Sequence, residues 1–144
     1  MRILILYYSR TGNTEKMAKA VAEGAQNTGL QVELAYHIEP EELGAFDAIA
    51  VGSPTYHAQM PIDFKTLFEE LETKGVTLKG KVGAAFGSYG WSGEAPGAVL
   101  EIMKNKLEMR TVEPPLLVKY LPDVKALDAC RDLGKKIAQA LGNA

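Results

Sequence analysis

A run of six residues near the start of the chain has the composition of a phosphate-binding loop. The six are Ser9, Arg10, Thr11, Gly12, Asn13 and Thr14. They join an apolar run to a segment with helical spacing, so their N–H groups would lie at a helix N-terminus, where the helix dipole favours an anion. The hydroxyls add donors, and Gly12 allows the backbone to approach closely. A helix cap needs only one hydroxyl, so we predict a phosphate site.

Two further segments combine aromatic side chains with glycine and serine. They are residues 52–57, with the sequence GSPTYH, and residues 87–93, with the sequence GSYGWSG. A planar ring held between two such loops would stack on their aromatic side chains. Tyr56, Tyr89 or Trp91 alone could equally be buried against a helix. Aromatic residues on both loops, beside a phosphate loop, favour a ring-shaped ligand instead.

Other phosphate-binding motifs do not match this chain. The first loop lacks the G-x-G-x-x-G pattern of dinucleotide-binding domains and the G-K-[ST] ending of a Walker A loop. A phospho-accepting receiver domain would need acidic residues at the ends of the first and third strands. Tyr7, Tyr8, Val51 and Gly52 stand there instead.

The pattern of apolar residues predicts five strands that alternate with four helices. The strands are expected around residues 3–8, 31–36, 46–52, 82–86 and 112–118. Such alternation predicts an α/β fold, a doubly wound parallel sheet with helices on both faces. The second strand alternates in polarity and the fifth contains Pro114 and Pro115, so both belong at edges. The expected order is 2-1-3-4-5, with the ligand beyond the carboxyl ends of strands one and three.

Composition limits the classes of function. The 144 residues are 47% apolar and 24% charged, which fits one domain spanning residues 1–144. A net charge of −2 argues against nucleic-acid binding. No apolar run reaches membrane-spanning length, and the first residues lack a signal-peptide cleavage pattern. The single cysteine, Cys130, excludes an internal disulfide and is expected in the core, so we expect a reduced, cytoplasmic setting.

The phosphate-loop sequence SRTGNT resembles the T/S-x-T-G-x-T loop of flavodoxins, a family of FMN-binding electron carriers. The segments GSPTY and FGSYGWSGEA are most similar to the flavodoxin domains of flavodiiron proteins. The resemblance covers nearly the whole chain and implies a flavodoxin-like fold with one bound FMN. The residues that it places at the cofactor are Ser9, Arg10, Thr11, Gly12, Asn13, Thr14, Ser53, Pro54, Thr55, Tyr56, His57, Gly87, Ser88, Tyr89, Gly90 and Trp91.

The resemblance also assigns a role to each loop. Residues 9–14 would bind the phosphate, with Ser53 and Thr55 beside the phosphate and the ribityl chain. We call residues 52–57 the first rim loop and residues 87–93 the second rim loop. Tyr56 matches the aromatic position of the first rim loop, and Trp91 matches the ring-stacking position of the second. Backbone atoms of residues 87–90 would contact the pyrimidine edge of the flavin ring. No catalytic or metal-binding residue is implied.

One rim position departs from the family pattern. His57 and Ala58 follow Tyr56, where related carriers often have glycine, and the rim carries few carboxylates. We therefore expect the fully reduced flavin to be less destabilised than in strongly acidic flavodoxins. His57 is either a solvated rim residue or an N–H donor whose protonation favours the reduced, anionic cofactor.

Electron transfer between redox proteins is the function that these features favour. The resemblance suggests a diiron oxygen or nitric oxide reductase, or a ferredoxin-type donor, as partner. An NAD(P)H-dependent quinone or flavin reductase on the same fold is an alternative, and so is a non-redox FMN-binding module.

Overall fold

A central parallel sheet organises the chain. The computed structural model describes residues 1–26, 29–56 and 59–142. The strands are β1 (Arg2–Tyr7), β2 (Gln31–Ala35), β3 (Ala48–Gly52), β4 (Val82–Tyr89), β5 (Arg110–Thr111) and β6 (Leu116–Lys119). They pair in the order β2-β1-β3-β4-β5, with β6 also paired to β4. Every pairing is parallel, so the predicted 2-1-3-4-5 arrangement is confirmed.

The fifth position of the sheet holds two short strands rather than the single strand predicted over residues 112–118. β5 pairs with Val82 and Gly83 at the start of β4, and β6 pairs with the end of β4. Pro114 and Pro115 lie between them. Because proline has no N–H to donate, the ladder stops there and resumes at Leu116.

Helices cover both faces of the sheet, as predicted. They are α1 (Asn13–Gln26), α2 (Ile62–Thr73), α3 (Glu94–Glu101) and α4 (Val124–Gly142), with a 3₁₀ turn at Pro40–Ala45 and a π-helical continuation of α3 at Ile102–Lys106. Side chains alternate along β1, so Ile3 and Ile5 enter the core under α1 and α4. Leu4 and Leu6 enter the other core, under α2 and α3.

The edge strand β2 is largely exposed, in keeping with its alternating sequence. Val32 and Ala35 are partly buried, whereas the side chains of Leu34 and Tyr36 are exposed. Of the alternating apolar residues Val32, Leu34 and Tyr36, only Val32 is therefore partly covered. Tyr36 lies one residue beyond the strand.

Close contacts fix the helices against each other and against the sheet. A Cβ at Gly24 would lie 2.0 Å from the carbonyl oxygen of Arg131, and a Cβ at Gly134 would lie 2.1 Å from that of Val21. Helices α1 and α4 therefore cross in backbone contact. The Ala126 N–H donates to Asp123 Oδ1 at 2.8 Å, so the Asp123 side chain caps the N-terminus of α4.

The carboxyl ends of β1, β3, β4 and β6 reach the same edge of the sheet, since all four strands are parallel. The loops that follow them therefore meet in one place. Across the described ranges, none of the helices combines the length and apolar character needed to cross a membrane.

Candidate functional site

A cavity of about 560 Å³ lies at the carboxyl edge of the sheet. It is lined by Ser9, Arg10, Thr11, Asn13, Thr14, Pro54, Thr55, Tyr56, Ser88, Tyr89, Gly90 and Tyr120. This volume is in the range of small-molecule sites, roughly 300–1,000 Å³. A second cavity of about 530 Å³, near the end of α2, contains none of the predicted residues. The chemistry of the lining residues, not size, distinguishes the first.

The loop between β1 and α1 has the geometry of an anion site. Gly12 has φ of +89°, which glycine adopts without strain, and its N–H donates to Ser9 Oγ at 3.0 Å. The Gly12 carbonyl accepts from the Lys16 N–H at 3.0 Å, so the loop leads directly into α1. Asn13, the first residue of α1, lines the cavity. The N-terminus of α1 therefore opens into the cavity.

Thr14 ties this loop to β4. Its side chain is buried, and its Oγ1 accepts a hydrogen bond from the Ser88 N–H at 3.4 Å. The hydroxyl hydrogen is not used in that bond. Thr14 therefore sets the distance between the first loop and the second rim loop while keeping a donor at the cavity.

Residues 53–56 of the first rim loop are held by β4 and by α3. Ser53 is fully buried; its N–H donates to the Phe86 carbonyl at 2.9 Å, and its Oγ donates to the Pro54 carbonyl at 3.0 Å. Thr55 Oγ1 accepts from the Ala95 N–H at 3.0 Å, in the first turn of α3. Thr55 thus lines the cavity, whereas the Ser53 hydroxyl is directed to the backbone.

Tyr56 presents a neutral ring beside a cation. The Tyr8 ring meets it edge-on, with centroids 6.0 Å apart, and the Arg10 guanidinium carbon lies 5.5 Å from its centroid. Burial is the main cause that raises the pKa of Tyr56; Tyr8 adds to the rise and Arg10 opposes it. Of the described residues that line the cavity, Arg10 is the one with a formal charge. The lining thus favours an anionic ligand with an aromatic part.

The second rim loop begins at Gly87, where β4 is in close contact with the first rim loop. A Cβ at Gly87 would lie only 2.0 Å from the Ser53 carbonyl oxygen, so this position requires glycine. Ser88 is nearly buried and donates through Oγ to the Tyr120 carbonyl at 2.7 Å. The Trp91 side chain is 97% exposed and is not part of the cavity lining.

Eleven of the sixteen predicted residues line one cavity; the others have different positions. Gly12, Ser53 and Gly87 support its walls through the backbone, and Trp91 stands outside it. His57 lies outside the described residues. Sequence reasoning missed Tyr120, which follows β6 at the same edge of the sheet. The parallel direction of the last strand was the signal that could have indicated it.

A doubly wound sheet with an anion loop after β1 and aromatic rims beside it has the arrangement of a flavin- or nucleotide-binding α/β domain. A flavodoxin family profile matches residues 5–134. A flavodoxin from Clostridium beijerinckii is 36% identical over 138 residues, which cover 93% of this chain and 97% of that protein. A solved flavodoxin from the domain Archaea has 36% identity and a TM-score of 0.91, with 99% of both chains covered.

The chain belongs to the flavodoxin family, as an FMN-binding electron-transfer domain related to the flavodoxin domains of flavodiiron proteins. The type A flavoprotein fprA of Rhodobacter capsulatus is 37% identical over 148 residues, which cover 96% of this chain and 33% of that protein. The chain spans about a third or less of the length of the first curated relatives that it matches.

Proposed function

We propose that the three loops hold one FMN in the cavity and that the domain passes electrons between protein partners. The observation that carries the proposal is the convergence, on one cavity of about 560 Å³, of an anion loop and two aromatic rims. When bound, FMN supplies reversible acceptance of one or two electrons. The residues of this chain bind it, orient it and set its surroundings.

The phosphate fits the first loop. The N-terminus of α1 faces the cavity, and Gly12 brings the backbone close to it. The hydroxyls of Ser9, Thr11 and Thr14 belong to the same lining, and Arg10 adds a positive charge. A dianion would thus meet dipoles, donors and one cation.

The ring system fits the space between the two rims. Tyr56 contacts Tyr8 and Arg10, and these two contacts orient its ring before a ligand binds. Tyr89 and Gly90 contribute the wall from β4. Trp91 is the most exposed aromatic residue among the described ones, and its predicted role, stacking on the flavin, belongs to this proposal.

The proposed partners are a diiron oxygen or nitric oxide reductase, or a ferredoxin-type donor. The similarity to longer flavoproteins supports the first two: a nitric oxide reductase from Moorella thermoacetica is 34% identical over 150 residues, covering 99% of this chain and 37% of that protein. The net charge of −2 gives weak long-range steering, so docking would depend on contacts near the cavity. A cytoplasmic location is part of the proposal and agrees with the single free thiol, Cys130.

A titration of apoprotein with FMN tests the proposal. Quenching of FMN fluorescence with a stoichiometry of one, and a rise in the melting temperature, are the expected results. Riboflavin, which lacks the phosphate, should bind about tenfold or more weakly because the first loop is then unfilled. Protein that neither quenches FMN nor gains thermal stability from it would contradict the proposal.

A matched pair of variants assigns the site. Thr11→Val removes one hydroxyl from the first cavity and should weaken FMN by about tenfold, with little effect on riboflavin. Thr77→Val makes the same change at the second cavity and should leave both affinities unchanged. Stepwise photoreduction, followed by mixing of the protein with one of the proposed partner proteins, then tests electron transfer. Repeated turnover with NADPH alone would instead favour the reductase alternative.

A further inference from the structure

Tyr120 extends the cavity to a fourth loop. It follows β6, which pairs with β4, whereas Tyr56 follows β3 on the other side of β4. Both tyrosines line the cavity, and Tyr89 and Gly90, at the end of β4, lie between them in the sheet order. An aromatic residue therefore stands on each side of the β4 loop.

The backbone of Tyr120 is held in an unfavourable conformation. Its φ is +61°, in the left-handed region that a residue with a Cβ rarely adopts. Two hydrogen bonds keep it there: its N–H donates to the Tyr89 carbonyl at 2.7 Å, and its carbonyl accepts from Ser88 Oγ at 2.7 Å. Both hydrogen-bond partners, Ser88 and Tyr89, lie at the end of β4 and line the cavity. The conformation is thus set from the cavity side.

Core packing does not account for this arrangement. The Tyr120 side chain is 61% exposed, so its ring gains little from burial in the fold. The ring faces the Cα of Gly90, where a Cβ would lie 3.3 Å from Tyr120 Cε1, and the Lys119 ammonium lies 5.4 Å from its centroid. Strained residues whose surroundings fix them in place concentrate at ligand sites.

From these observations we propose that the Tyr120 ring packs against bound FMN from the β6 side of the cavity. The inference rests on the proposed function, because it assigns a further cofactor contact at the same site. The proposed contact is made by the aromatic ring of Tyr120 and not by its hydroxyl group. Gly90 allows the ring to lie close to the second rim loop, because a Cβ there would be only 3.3 Å from Tyr120 Cε1.

Three variants separate the ring from the backbone. Tyr120→Asn removes the ring but tolerates a left-handed backbone, so the apoprotein should melt at the wild-type temperature or above. Its dissociation constant for FMN should rise by about tenfold. Tyr120→Phe keeps the ring and should bind FMN within about twofold of wild type. Tyr36→Asn, at another exposed tyrosine away from the cavity lining, should leave the affinity unchanged.

The visible circular dichroism of saturated FMN gives a second readout, because a stability effect alone would not change it. The Tyr120→Asn protein carrying FMN is expected to differ from wild type in this spectrum, and Tyr120→Phe is expected to match it. Wild-type affinity in Tyr120→Asn, or equal weakening by Tyr120→Phe, would overturn the inference while leaving the proposed function intact. Wild-type protein that fails to bind FMN would overturn both.

Discussion

Replacing Gly87 by alanine adds one methyl group where the second rim loop leaves β4. The new Cβ would lie 2.0 Å from the Ser53 carbonyl oxygen and 2.9 Å from both the Ser53 carbonyl carbon and Pro96 Cγ. Two of the three neighbours are backbone atoms, which cannot rotate away. The first rim loop and β4 must therefore separate by roughly 1 Å or more to reach ordinary contact distance.

The cost follows from the contacts that this separation breaks. Overpacking of this kind costs about 1–3 kcal/mol. The hydrogen bond from the Ser53 N–H to the Phe86 carbonyl, 2.9 Å long, is stretched with it, and such a bond contributes about 0.5–1.5 kcal/mol. We expect Gly87→Ala to lower the free energy of unfolding by about 2–4 kcal/mol. FMN affinity should fall as well, because Thr55 and Tyr56 move with the loop.

Urea denaturation of the apoprotein, followed by far-ultraviolet circular dichroism, measures the effect. The matched control is Gly97→Ala in α3, where a Cβ would meet nothing within 4 Å. Alanine in a helix is favoured over glycine, so this control should be neutral or more stable by up to about 1 kcal/mol. A Gly87→Ala protein within about 0.5 kcal/mol of wild type would refute the reasoning, since that is the usual effect of an unconstrained surface substitution.

Three further outcomes are expected. Gly12→Ala should cost the apoprotein about 1–2 kcal/mol in urea denaturation, because φ is +89° there although no atom obstructs a Cβ; an unchanged midpoint would contradict this. Asp123→Ala should cost about 1 kcal/mol by removing the acceptor of the Ala126 N–H, and Asp123→Asn should cost clearly less if capping is the cause. Burial raises the pKa of Cys130 from 9.0 to about 11 and also restricts access, so iodoacetamide at pH 8 should label the folded thiol at least about a hundredfold more slowly than the unfolded one. The unfolded thiol ionises first, so stability should fall as pH rises from 9 towards 11; equal labelling rates would contradict the buried thiol.

The fold was predictable because local pattern and global topology agree. Residues 3–6 are continuously apolar, and the structure buries them alternately under two different pairs of helices. The two prolines after Glu113 indicated an edge position correctly. They did not reveal that strand pairing resumes at Leu116. Proline shows in the sequence that the hydrogen-bond ladder is interrupted, but the length of the interruption depends on the register with β4.

The site was predictable as a set of loops but not as a set of side-chain directions. The types of residue in the first loop indicated an anion site, and five of its six members line the cavity. Ser53 points its hydroxyl to the neighbouring carbonyl, which depends on the local backbone and not on residue type. Tyr120 was missed because its position arises from the pairing of β6 with β4, a long-range contact without a sequence motif. The role of His57 stays a prediction.

The backbone contact between α1 and α4 links the first and the last helix of the domain. Helix α1 begins at the anion loop, and its packed face shares one core with Cys130 and Ile137 of α4. During synthesis, the anion loop would leave the ribosome before α4 and would lack this support until Val124–Gly142 had emerged. Cofactor loading is therefore expected to be a late event, which follows translation of the last helix instead of guiding the folding of the first.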